Sequence, residues 1–151
     1  MKKVVMAFGA FDGIHAGHIF YLSEAKKLGD RLVVAIARDA AVWRPPTHYR
    51  LPEKERMALV KSLGIADTVI LGGLSNAFEK IVRVRPDIIA ITDYHGIDET
   101  VLQSDLQKRN LKTIVKKIRR YKPELYDAEF RRRLLSTREL MGLTPKKGTP
   151  F

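Results

Sequence analysis

Short runs of apolar residues punctuate this chain: Val4–Phe8, Leu32–Ala37, the stretch within Asp67–Leu71, and the stretch within Asp87–Thr92. Runs that are apolar on both faces predict strands of a sheet covered on both sides. Between them, apolar side chains recur at helical spacing: Ile19, Leu22, Ala25 and Leu28; then Met57, Val60 and Leu63; then Phe78, Ile81 and Val82; then Leu102 and Leu106. The punctuation agrees with that reading. Gly29-Asp30 stops the first helix, and Pro52 in a first helical position, with Glu53 and Glu55 in the first turn, opens the second, which Gly64 ends. Ser75 or Asn76 caps the third helix and Pro86 stops it, while Asp98 caps the fourth. A last run, Leu111–Val115, with lysines pointing outward, suits an exposed edge strand.

Strand and helix therefore alternate without an internal repeat or a linker, which predicts an α/β fold: a Rossmann-like, doubly wound parallel sheet of about five strands in a single domain. Right-handed crossovers are expected. Ligands of such sheets bind beyond the carboxyl ends of the strands, where Gly9 and Arg38-Asp39 fall. The alternation breaks between Ala40 and Leu51, a polar, aromatic and proline-bearing loop that contains Trp43, Arg44, His48, Tyr49 and Arg50. A loop of this length in a compact domain is either functional or disordered.

Composition narrows the function classes. With 151 residues, 45% of them hydrophobic, the chain is long enough for a real core. It has no cysteine, so disulfides, thiolate nucleophiles and cysteine metal sites are excluded. No apolar run approaches a membrane span, and Met1-Lys2-Lys3 leads straight into a strand, so a cytoplasmic protein is expected. The formal charge of +11 predicts anionic partners such as nucleotides or phosphates. A non-catalytic RNA-binding module is the reading from another class, but no clustered basic helix or aromatic-interleaved sheet supports it. Lys26, Lys27, Lys54 and Lys61 fall on helix faces where solubility explains them.

The candidate chemistry lies in Phe8-Gly9-Ala10-Phe11-Asp12-Gly13-Ile14-His15-Ala16-Gly17-His18, between the first strand and the first helix. A helix N-terminus stabilises an anion through its dipole and its unpaired N–H groups. Gly9 and Gly13 are expected to let the backbone approach such an anion. His15 and His18 are three residues apart and share one face, and Gly17 between them is expected to leave room for a phosphate. Near the end, Ser136-Thr137-Arg138-Glu139 reads as a capping box that starts a further helix.

The string Gly9 to His18 resembles the G-x-F-D-x-x-H-x-G-H signature of the HxGH nucleotidyltransferases, the cytidylyltransferase-like superfamily. Within it the chain looks most like the small archaeal-type FAD synthases, with glycerol-3-phosphate cytidylyltransferases next. The resemblance runs from Lys3 to about Leu140, making residues 1–144 a nucleotidyltransferase domain and 145–151 a mobile tail. Leu135–Leu140 resembles the family's second motif. Arg56 falls in a recurrent Glu-and-Arg segment, or forms a surface ion pair with a neighbouring Glu.

The resemblance implies transfer of a nucleotidyl group to a phosphorylated acceptor with release of pyrophosphate: AMP from ATP to FMN, or alternatively a CTP-dependent transfer to a polyol phosphate. It makes His15 and His18 catalytic. Phe8, Gly9, Ala10, Phe11, Asp12 and Gly17, with Asp93 and the second-motif residues Ser136, Thr137 and Arg138, become nucleotide-binding. Arg38, Arg44, Arg50 and Tyr94 become candidate phosphate or acceptor contacts, and Arg119-Arg120-Tyr121-Lys122 either holds an acceptor phosphate or is solvated. Trp43, Tyr49, Tyr94 and Tyr121 are aromatics able to stack on a flat isoalloxazine. Mg2+ would arrive with the triphosphate, no protein metal ligand is assigned, and a homodimer without membrane or nucleic-acid partners is expected. The segment Thr92-Asp93-Tyr94-His95 departs from the family pattern: relatives carry a glycine and then an acid, whereas here the acid is shifted by one position and no glycine precedes it.

Overall fold

The computed structural model describes residues 2–41, 51–74, 76–95 and 97–123. Its chain order is β1 (Val4–Gly9), α1 (Ala16–Lys27), β2 (Arg31–Ile36), α2 (Glu53–Ser62), β3 (Thr68–Leu71), α3 (Phe78–Val84), β4 (Ile88–Ile91), α4 (Glu99–Lys108) and β5 (Ile114–Lys117). The five strands form one sheet in the order β3-β2-β1-β4-β5, with every neighbouring pair parallel. The doubly wound α/β sheet expected from the hydrophobic pattern is the one observed. No helix among the described residues is long and apolar enough to cross a membrane.

Alternation along the strands divides the core in two. Val5 and Ala7 of β1 pack with Leu22 and Ala25 of α1 and Val60 of α2 on one face. Met6 and Phe8 point the other way, toward Ile81 of α3 and Leu102 and Leu106 of α4. At the opposite end from the site, Asp30, Asp67 and Asp87 each precede a strand and accept an N–H at or next to the start of a neighbouring one, from Lys3, Leu32 and Val4 respectively, at 2.7 Å. These carboxylates satisfy donors that the ladders leave over and hold the strands in register.

Several local expectations shift. Ile19 is 42% exposed, and the inward stripe of α1 is instead His18, Tyr21, Leu22 and Ala25, which runs upward into the candidate site. Val82 is half exposed, so α3 buries Ile81 alone. Pro52 is the N-cap of α2 rather than its first residue, and because proline has no capping side chain the carboxylate of Asp39 accepts the Glu53 N–H at 3.2 Å. Asn76 caps α3 by accepting from the Glu79 N–H, and Asp98 caps α4 through the Val101 N–H. Lys26 pairs with Asp67 and Lys27 with Glu24, exposed contacts of small energetic weight.

The edge strand also moves along the chain. Burial alternates from Leu111 onward, as the sequence suggests, but the ladder with β4 begins only at Ile114. The start matches that of β4, whose first residue, Ile88, stands opposite Ile114, and the outer edge there meets Gln103 of α4. Its amide donates to the Thr113 carbonyl at 2.8 Å and accepts from the Val115 N–H at 3.0 Å, so a side chain covers part of the open edge.

Candidate active site

Between β1 and β4 the winding of the sheet reverses, and there the two strands separate. Their pairing ends at Ala7 and Ala90. Two side chains then take over the backbone groups that the ladder leaves open. The Tyr21 hydroxyl donates to the Ala90 carbonyl at 2.7 Å and accepts from the Phe8 N–H at 3.3 Å. His95, in the single 3-10 turn Asp93–His95 after β4, donates from Nε2 to the Phe8 carbonyl at 2.8 Å, while its Nδ1 accepts from the Thr92 N–H at 3.0 Å. Burial raises the Tyr21 pKa far above its usual range, so the phenol stays protonated and able to donate. The crevice that a doubly wound sheet opens at this point is thus held open by a tyrosine and a histidine.

His15 and His18 stand at the mouth of this crevice. His15 is the N-cap of α1: its Nδ1 accepts from the Gly17 N–H at 3.0 Å, and His18 Nδ1 accepts from the His15 N–H at 3.1 Å. The pair forms a capping box built from imidazoles instead of the usual hydroxyl and carboxamide. Because each Nδ1 accepts a backbone hydrogen, each ring carries its own proton on Nε2. The rings lie with centroids 4.0 Å apart, and Phe11 packs 5.5 Å from His18. Burial, and then the neighbouring His15, push the His18 pKa down to about 4, so the ring is neutral at pH 7 and offers a single Nε2–H donor.

This geometry adds to three expectations about the glycines and the helix end. A side chain at Gly17 would lie 2.7 Å from the His15 ring, so the missing side chain makes room for that imidazole. A side chain at Gly9 would lie 2.6 Å from the Phe11 ring; Phe11 is buried, with φ at +51°, and folds back over the glycine. The capping box also occupies the N–H groups of His15 and Gly17. The donors that the two rings themselves contribute at this helix start are their Nε2–H groups.

A cavity of about 250 Å³ gathers these parts: Phe8, Gly9, Ala10, Phe11, Asp12, His15, Gly17 and His18 line it together with Tyr21, Thr92 and His95. Arg119, Arg120 and Tyr121, which follow β5, close its far side. Arg119 stacks over the Phe20 ring at 4.8 Å, and Tyr121 lies against the same ring with centroids 5.2 Å apart. Two guanidinium groups and two imidazole donors facing one carboxylate, Asp12, suit a polyanion.

The other sequence candidates are placed differently. Asp93 does not line the cavity; its carboxylate binds Lys117 and Arg120, and the Lys117 hydrogen bond holds its pKa below the usual carboxylate range. Arg38 pairs with both carboxylate oxygens of Glu53, at 3.2 and 3.1 Å. Arg44, Arg50, Ser136, Thr137, Arg138 and the Tyr94 side chain lie outside the described residues, as does the segment 145–151. Arg56 is not a surface ion pair. It is fully buried and donates to the carbonyls of Leu51 (2.9 Å), Ala10 (2.6 Å) and Ala37 (2.8 Å) and to Asp39 (2.8 Å), tying together the chain beyond β1 and β2.

Sequence reasoning missed Tyr21, His95 and Arg56 as parts of the site's frame. Their signals were present. Tyr21 is three residues after His18 on the same stripe, and Arg56 is at helical spacing from Val60 and Leu63. His95 had no such spacing to mark it.

The cytidylyltransferase-like family model matches residues 6–140. The chain belongs to that family. Among curated relatives it is 44% identical over 119 residues to an FAD synthase of Ferroglobus placidus, covering 79% of this chain and 77% of that one. It is 37% identical over 138 residues to an FAD synthase of Thermoplasma volcanium, covering 91% and 96%. A crystal structure described as the lipopolysaccharide core biosynthesis protein from Thermoplasma volcanium superposes with a TM-score of 0.75 at 38% identity, over 80% of this chain and 99% of that one. Pantothenate synthetase from Thermus thermophilus shares the fold at 14% identity, with a TM-score of 0.56, over 94% of this chain and 70% of that one.

The buried imidazoles of this family member have a consequence for stability. His18 and His95 are both held below the ordinary histidine pKa, mainly by burial. The unfolded chain binds protons near pH 6.5, where the folded one does not. Their contribution is complete above about pH 6.5 and is lost as the pH falls toward the folded values. Thermal melts should shift to lower temperature between about pH 7 and pH 5, before carboxylates protonate, and His95→Asn should flatten part of that slope. A Tm constant over this window would contradict the burial of both rings.

Proposed function

We propose that this nucleotidyltransferase moves the adenylyl group of MgATP onto the phosphate of FMN, giving FAD and pyrophosphate. The paired imidazoles at the start of α1, in a chain whose relatives are named FAD synthases, carry the reading. A phosphate oxygen of the acceptor attacks the α-phosphorus in line. A new P–O–P bond forms, the bond from the α-phosphorus to the bridging oxygen breaks, and its electrons leave with pyrophosphate. The chain offers no thiolate, and direct transfer needs no covalent intermediate; catalysis is positioning and electrostatic stabilisation.

In that reaction His15 and His18 donate from Nε2 to phosphate oxygens on which charge grows, and Arg119 and Arg120 neutralise charge on the leaving side. With each Nδ1 accepting a backbone hydrogen, the imidazoles present Nε2–H to these oxygens while the helix cap stays intact. Magnesium enters this scheme with the triphosphate of the nucleotide substrate. The same reading includes a homodimer, which sedimentation would test.

The test pairs ATP or CTP with FMN or glycerol 3-phosphate, in the presence of magnesium, and measures pyrophosphate and FAD. Release with ATP and FMN is the expected result. Release only with CTP and glycerol 3-phosphate would overturn the flavin acceptor and leave the transfer chemistry standing.

A further inference from the structure

The ladder between β1 and β4 ends where a further rung was available. With Ala7 opposite Ala90, a parallel ladder continued in register would next join the Thr92 N–H to the Phe8 carbonyl. The imidazole of His95 stands in that rung instead. Its Nδ1 accepts from the Thr92 N–H at 3.0 Å and its Nε2 donates to the Phe8 carbonyl at 2.8 Å, so both backbone groups are satisfied across a ring rather than directly. A direct N–H···O contact spans about 2.9 Å, whereas two contacts with a ring between them hold the strands well apart. The Tyr21 hydroxyl steadies the rung before it, touching both the Phe8 N–H and the Ala90 carbonyl. The tyrosine ring also backs the imidazole, edge-on, with centroids 5.6 Å apart.

The ring is placed for spacing and not for contact with a ligand. A neutral imidazole has one donor and one acceptor, and the backbone takes both. Yet His95 lines the cavity of His15 and His18, beside Phe8, Tyr21 and Thr92. Its own turn is anchored from the far side. The His95 N–H donates to the Thr92 carbonyl at 3.2 Å, and Asp93 is gripped by Lys117 at the end of β5 and by Arg120 beyond it. Such backing resists the backbone donor and acceptor on either side of the ring, which would otherwise pair. We propose, resting on the nucleotidyl-transfer reading above, that His95 is a positioning residue: a spacer that keeps the carboxyl ends of β1 and β4 parted, so that the crevice admits the triphosphate to His15 and His18. Without the ring the Thr92 N–H bonds the Phe8 carbonyl directly. The end of β1 then leans toward β4, the crevice narrows, and the turn from Gly9 to His18 moves with the strand.

Two substitutions separate spacing from imidazole chemistry. His95→Ala removes the spacer, whereas His95→Gln keeps one acceptor and one donor on a side chain that does not titrate. In His95→Ala, kcat/KM for MgATP should fall by about 10²-fold, mostly through KM, the order of loss that a displacement of about an ångström at an active site carries. His95→Gln should return it to within about threefold of wild type. The strand position is read without substrate, by NMR couplings across hydrogen bonds. In the wild type the Thr92 amide nitrogen should couple to His95 Nδ1, and in His95→Ala to the Phe8 carbonyl carbon. MgATP affinity and turnover of His95→Ala within about twofold of wild type would overturn the spacer. So would a loss in His95→Ala without the new coupling to Phe8, or an equal loss in His95→Gln. Should His95→Ala not fold, the wild-type coupling and His95→Gln decide alone. A wild type that shows the imidazole coupling but does not bind MgATP would overturn the nucleotide's place in the crevice, and the role of the spacer with it, while the strand geometry stands.

Discussion

Replacing His15 or His18 by Asn lowers kcat by about 10²–10³ while the protein stays folded, the usual loss for one transition-state donor. Asparagine is chosen for a geometric reason. Each Nδ1 accepts a backbone N–H at the start of α1, 3.0 Å for His15 and 3.1 Å for His18, and an asparagine carbonyl can reproduce that acceptor. What asparagine lacks is the outward Nε2–H. The substitution thus separates the capping role from the chemical one. Alanine would confound them, costing about 1 kcal/mol of helix capping besides the lost donor. The measurement is saturating kcat beside a thermal melt. Near wild-type turnover in His15→Asn or His18→Asn, with an unchanged melt, would reduce that histidine to a cap.

The largest expected effect on stability is at Arg56. Its side chain has no exposure and satisfies three backbone carbonyls and Asp39. Arg56→Met keeps the volume but leaves those carbonyls without donors, at about 1–3 kcal/mol for each that water cannot reach. A total near 3–5 kcal/mol is expected, the range seen when one partner of a buried polar network is removed. For a chain of this size that lowers Tm by about 10 °C or more. Arg56→Lys should recover little, because an ammonium cannot spread its donors over carbonyls that the planar guanidinium reaches together. Ala10 leads into the histidine turn, so the KM for nucleotide should rise as well. A Tm within about 2 °C of wild type would mean that the carbonyls find other donors.

Hydrophobic period and turn chemistry made most of the architecture legible before any coordinates. Buried strands and amphipathic helices differ in repeat, and each change of repeat was marked by a proline, a glycine or a capping side chain. The differences arise where distant parts of the chain meet. Ile19 and Val82 have the right spacing but point outward, because spacing defines a face and the neighbouring elements decide which face is covered. The late start of β5 follows its partner β4, whose first residue, Ile88, stands opposite Ile114, and no window around Leu111–Val115 contains that partner.

The sequence by itself determined the α/β alternation, the absence of thiol chemistry, the positive charge, and the string Gly9 to His18 with its two histidines. These are local or compositional properties, readable because residues a few positions apart stay neighbours whatever the rest of the chain does. Only the tertiary structure decided what Gly9 and Gly17 make room for, that Asp93 is held by Lys117 and Arg120, and that Arg56 is buried. It alone brought Tyr21 and His95 to the parted ends of β1 and β4, and Arg119 and Arg120 to the histidines. The partners in each case are separated by long stretches of chain, or compete for one space. Such choices follow from which groups lose water together when the layers close, and that is a property of the packed molecule.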